Sequence, residues 1–178
     1  MKTKTINKKD YSAKKCKEMQ GRDGYVISFD LHYKGKKCAE VFDDGNGGMV
    51  SIIWHDNAMT KGTGSCKNWR QAENDFMALV KQMGEYEFMG EMSEYNDEVL
   101  VMEIYEDQRL EKQLKRKLKG KVLFINEDGN CQEIAWKGTK EINPLHWRIA
   151  KKHYPEIKTT LNELPFNEAL ETFLVATR

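Results

Sequence analysis

Two short stretches of the chain hold residue types from which a reaction centre could be assembled. The first, Asp43-Asp44-Gly45-Asn46-Gly47-Gly48, sets three glycines beside two carboxylates. Exposed glycine N–H groups can cradle an anion, and adjacent carboxylates can hold a hard cation. The second, Trp54-His55-Asp56, ends a β-branched run and places an imidazole next to a carboxylate, the pairing used by a general base. Asp43, Asp44 and His55 therefore form the candidate catalytic set of a small nucleotide-binding protein or a metal-assisted hydrolase, with His32 nearby on the same run of strands. Three features oppose this chemistry. A Walker loop needs Gly-Lys-Ser/Thr at a helix start, whereas this loop runs into a strand. An EF-hand needs alternating acids and a distal Glu. Strand alternation also disfavours one shared face for all these side chains, and the glycines equally suit a wide turn that requires positive φ.

The remaining candidates are weaker. His146 and His153 are seven residues apart, which gives them one helix face but a two-turn separation, too far for a single metal ion. No metal site and no cofactor is expected. Cys16, Cys38, Cys66 and Cys131 show no CxxC spacing and read as reduced thiols of a cytosolic protein. Trp136 and Trp147 read as core or rim aromatics, and Met83, Met89 and Met92 as gap-fillers or an adaptable contact surface.

A net charge of +1 conceals charge blocks: ten carboxylates lie between Glu85 and Glu111, and a basic run follows immediately. Within that run, Lys112, Lys115, Arg116, Lys117 and Lys119 are the candidate binding surface. A basic helix can follow a phosphate backbone, so nucleic acid is an alternative partner. Neither an RRM signature nor a helix-turn-helix accompanies the run.

These residues must be positioned by an α+β chain. At 178 residues with 39% hydrophobic and 32% charged side chains, it is long and apolar enough for one packed domain. Residues 1–22 are strongly basic and read as a mobile arm or a short surface helix, leaving 23–178 as a single domain. From Tyr25 to Tyr33 the apolar residues alternate, predicting a strand. Lys34-Gly35 turns the chain into a partner strand in which Lys37, Ala39 and Val41 share one face and Cys38, Glu40 and Phe42 the other. Met49–Trp54 completes a three-stranded antiparallel meander. After a loop over Asn57–Ser65, Trp69 to Met83 has helical spacing, with Asn68 and Gln71 as its capping box, and covers the sheet. A long helix capped at Asp97 and ended by Gly120 comes next. A second hairpin then turns at Asp128-Gly129, read as a type I′ dipeptide, and two short helices open at Asn143-Pro144 and Pro165. The run Met1–Lys9 has no apolar stretch behind it, and no later segment approaches ~20 apolar residues. The expectation is a cytoplasmic protein with no signal peptide and no membrane span.

Several segments resemble small accessory proteins of tailed bacteriophages and related mobile elements. The resemblance is carried by Gly35-Lys36-Lys37-Cys38-Ala39-Glu40-Val41 running into Asp44-Gly45-Asn46-Gly47-Gly48, by Leu118-Lys119-Gly120-Lys121-Val122-Leu123-Phe124, and by Leu161 to Leu170. It implies an early-acting accessory role in the host cytoplasm, directed against host defence, and transfers no catalytic residue. The expected function is thus a non-enzymatic protein that binds a host protein or ribonucleoprotein complex and inhibits a defence or nucleic-acid-processing system.

Overall fold

The computed structural model describes residues 6–22, 24–55 and 69–177. The Asn57–Ser65 loop, Asp56, Cys66 and the Asn68 end of the expected capping box lie outside them. The architecture is α+β, as expected, but the chain divides into two compact units, Met1–Glu106 and Asp107–Arg178, where the sequence suggested one domain.

The first unit is built on a four-stranded antiparallel sheet with order β1-β2-β3-β4, comprising β1 (Tyr11–Gln20), β2 (Tyr25–Tyr33), β3 (Lys36–Asp43) and β4 (Ser51–Trp54). Tyr11–Gln20 of the basic N-terminal segment is therefore a strand and not an arm or a helix: Tyr11 and Ala13 are buried at 4% and 0% exposure and tie β1 onto β2. Two apolar residues one period apart are enough to anchor the segment, and the lysines mask them in a composition-based reading.

Helix α1 (Trp69–Met83) buries Ala72, Asp75, Phe76, Leu79 and Val80, and its Phe76 ring meets Tyr11 and Trp54 edge-on at 5.1 and 5.5 Å. Helix α2 (Asp97–Gly120) begins in this unit, where Tyr105 stacks on Phe29 at 5.3 Å. Its cap is Asn96 and not Asp97, since Asn96 Oδ1 accepts from the Val99 N–H at 2.9 Å. Between the helices lies a hairpin that hydrophobic periodicity did not predict, β5 (Glu85–Phe88) and β6 (Glu91–Glu94). It turns through Met89 and Gly90 at φ 53° and 84°. Met83, Met89 and Met92 are exposed around it and fill no core gap.

The second unit continues α2 and adds β7 (Lys121–Ile125), β8 (Cys131–Ala135), α3 (Pro144–His153), β9 (Thr159–Thr160) and α4 (Phe166–Thr177), with sheet order β8-β7-β9. Its core is Leu114, Leu123, Ile125, Leu161, Ala169 and Phe173. The β7–β8 turn is not type I′, because only Gly129 has positive φ. Gly129 N–H donates to Asn126 O, and the Asn126–Asn130 pair closes a three-residue loop. Asn162 links three segments: its Oδ1 accepts from Leu123 N–H at 2.8 Å, and its Nδ2 donates to Leu118 O and Lys121 O at 3.1 and 3.0 Å. One side-chain amide thus satisfies an orphan carbonyl near the end of α2 and a strand donor.

Asn162→Ala leaves those groups unpaired. A loss of ~1–3 kcal/mol is expected in urea denaturation followed by a reporter in the second unit. A loss below about 0.5 kcal/mol would mean that water replaces the amide without cost.

Candidate functional site

The residues proposed for catalysis are not brought together. His55 N–H donates to Cys38 O at 2.9 Å near the start of β3, whereas Asp43 ends that strand, opposite Ile27. Five residue steps at ~3.3 Å each separate the two ends, well beyond shared contact with one substrate.

The two aspartates are occupied locally. Asp43 Oδ1 accepts from Gly45 N–H at 2.9 Å, and Asp44 Oδ1 accepts from Asn46 N–H at 3.0 Å. These are Asx turns that shape the loop. Its glycines have a steric reason too, since a Cβ on Gly24 would lie 2.7 Å from Gly45 O, and Gly45 itself sits at φ 69°. The backbone of the loop rests directly on the start of β2, and only glycine permits that approach. Among the described residues no group of three or more His, Cys, Asp or Glu is placed to hold a metal ion.

Three of the five lysines and arginines proposed for binding are engaged within the second unit. Lys115 pairs with Glu111 at 2.5 Å and lies over the Phe166 ring at 5.0 Å. Lys117 pairs with Glu133 at 2.8 Å, and Lys119 with Glu141 at 3.2 Å. Lys112 and Arg116 are exposed, and no ion pair holds them among the described residues.

A different surface emerges on the side of the four-stranded sheet turned away from α1. A bulge at Cys38 creates it. Leu31 pairs with Ala39 but His32 pairs with Lys37, so Cys38 is the extra residue and turns inward with Ala39, both fully buried. The bulge flips Lys37 to the face of Glu40 and Phe42, opposite to the regular alternation expected from the sequence.

That flip resolves an electrostatic conflict. Asp30 and Glu40 stand directly across from each other, and like charges so placed repel. Lys37 Nζ lies 2.8 Å from Asp30 Oδ1 and 2.5 Å from Glu40 Oε1, with Lys15 Nζ at 3.1 Å from Asp30 and His55 Nε2 at 3.3 Å from Glu40. Burial would raise the Asp30 carboxyl, but hydrogen bonds from Lys37 and Lys15 outweigh it and hold the group below its ordinary value. The Lys37 hydrogen bond holds Glu40 low as well. Carboxylates stabilised in this way are weak bases, so the arrangement neutralises charge on the sheet surface and offers no general base.

Around this neutralised centre the face is apolar and basic. Phe42 and Ile53 are 47% and 57% exposed, and Met19 68%. Lys14 and Lys17 are exposed and free of ion pairs among the described residues. Lys15, Lys17, Ser28, Phe42 and Ile53 border a shallow concavity of ≈ 400 Å³. A second bulge, between Lys14 and Lys17, brings Lys15 onto this face at φ 51°. The detectable sequence signals were Phe42 on the polar side of a strand and three lysines within four residues.

No family model, curated protein or solved structure matches the chain.

The depressed carboxyls set the sign of one pH dependence. Their stabilising contribution is complete above the unfolded carboxylate pKa of ~4 and is lost as pH falls through the lower folded values. Urea midpoints measured from about pH 6 down to about pH 2.5 should therefore fall more steeply for the natural protein than for Asp30→Asn/Glu40→Gln. Parallel curves would show that the network carries no such linkage.

Proposed function

We propose that the chain is a non-enzymatic binding protein that engages a host macromolecule through the open face of its four-stranded sheet. The observation that carries this reading is the joint exposure of Phe42 and Ile53 beside Lys14 and Lys17, which have no ion-pair partner among the described residues. Large apolar side chains grouped on a polar-rimmed surface are typical of recognition sites. The separation of His55 from Asp43, and the engagement of both loop aspartates in turns, speak against the hydrolytic alternative. The resemblance to phage accessory proteins directs the proposal toward a bacterial defence or nucleic-acid-processing system in the host cytoplasm. Among the described residues no helix is long and apolar enough to cross a membrane, which is compatible with such a location.

The test compares three immobilised full-length chains in bacterial lysate: the natural protein, Phe42→Ser/Ile53→Ser, and Lys112→Glu/Arg116→Glu. Bound protein and nucleic acid are both quantified. Capture should exceed that of an unrelated protein of similar charge, fall at least tenfold in the sheet-face variant and persist in the helix variant. Equal capture by the natural chain and the sheet-face variant would remove this face as the recognition surface.

A further inference from the structure

We infer that the ligand of this face is single-stranded nucleic acid, with Phe42 as the stacking platform and Lys14 and Lys17 as the phosphate track. The inference rests on the preceding reading that the open sheet face is the recognition surface.

The geometry follows from strand register. Lys17 pairs with Ser28, Ser28 with Phe42, and Phe42 with Ser51, which puts cation, hydroxyl, ring and hydroxyl in one row across four strands. The serines flanking Phe42 are too small to cover its ring, so a planar base can lie against it, with Ile53 on a neighbouring row as an apolar border. Adjacent strands are ~4.8 Å apart, so Lys17 and Phe42 are about 10 Å apart at the backbone. The lysine side chain reduces that span toward the distance between a base and its own phosphate.

Charge selects the same ligand. Asp30 and Glu40, the two carboxylates at the centre, are paired with Lys37, and Asp30 with Lys15 as well, while Lys14 and Lys17, on the edge strand, have no ion-pair partner among the described residues. A polyanion with regularly spaced charges and accessible π faces complements this row. Base stacking on an aromatic side chain is tolerant of sequence, but it requires bases released from a duplex.

Fluorescence anisotropy with labelled 12-nucleotide oligo(dT) and oligo(U), and with a 12-base-pair duplex, tests this on the full chain. Both single strands should bind, and the duplex at least tenfold more weakly. Two neutralised phosphates predict about a sevenfold loss of affinity as salt rises from about 50 to about 200 mM. Phe42→Ala and Phe42→Leu should each weaken binding about five- to one-hundred-fold, and Phe42→Trp should restore it. Lys14→Glu/Lys17→Glu should reduce both the affinity and the salt dependence. Circular dichroism and melting of each variant establish that it is folded.

The inference is overturned if the natural protein binds neither strand at about 100 μM, if affinity is independent of salt, or if Phe42→Leu binds like the natural chain. Nuclease treatment of the lysate separates the two levels of the argument. Capture that depends on Phe42 and Ile53 but survives nuclease, without oligonucleotide binding, means a protein ligand on the same face, so the sheet-face reading stands and the nucleic-acid inference fails. No Phe42-dependent capture and no oligonucleotide binding would remove both.

Discussion

The first unit depends on one buried carboxylate. Asp75 of α1 is 5% exposed, and an unpaired charge in that position would be strongly destabilising. It is accommodated because Tyr33 Oη donates to Oδ2 and Gln71 Nε2 donates to Oδ1, both at 2.5 Å. Beside it, Tyr11 Oη donates to Ala72 O at 2.6 Å, its hydroxyl pushed strongly upward by burial and then by Tyr33 and Asp75. A hydroxyl that stays protonated remains a donor across the physiological range. Two tyrosines, from β1 and β2, thus bind the same stretch of α1 and hold the helix on that side of the sheet.

The orientation of the sheet follows from this docking. Once Tyr11, Phe29, Leu31 and Tyr33 face the helices, period-two alternation commits their neighbours to solvent. Bulges at Cys38 and near Lys15 then adjust the outer face locally, adding a lysine where two carboxylates oppose each other and a second at the edge. A bulge and charged residues on an edge strand also discourage sheet-to-sheet aggregation. β1 combines both devices with a basic surface, so the features that keep the edge soluble supply the charge of the proposed site.

Strong, local periodicity was legible in the sequence, and departures from it were not. The alternation over Tyr25–Tyr33, the helical spacing over Trp69–Met83, the long α2 and the Asn143-Pro144 start each have enough repeats or a defined cap to identify them without tertiary context. β1 was obscured because lysines dominate its composition while only Tyr11 and Ala13 report burial. The β5–β6 hairpin has four-residue strands rich in glutamate and turns through a left-handed methionine, a residue not favoured there. β9 is two residues long and exists through its pairing with β7. The proposed recognition face was hidden for a related reason: a single bulge at Cys38 inverts Lys37, and no one-dimensional pattern signals which residue of a strand will be left unpaired.

Charge shows most clearly why a linear reading and a folded one select different surfaces. The basic run of α2 is the densest cluster of cations in the sequence, yet folding places Glu111, Glu133 and Glu141 against Lys115, Lys117 and Lys119. Glu133 accepts hydrogen bonds from Lys117 and Lys121, which hold its carboxyl below the ordinary value, a sign that the partners are matched within the chain. On the sheet face the order is reversed. The carboxylates are the groups already satisfied, and among the described residues Lys14 and Lys17 are left over. A surface attracts a ligand through the charge that remains after internal pairing, because only that charge can exchange counterions for a partner. Two unpaired lysines beside an exposed ring can therefore outweigh a run of five cations, three of which are paired within their own unit.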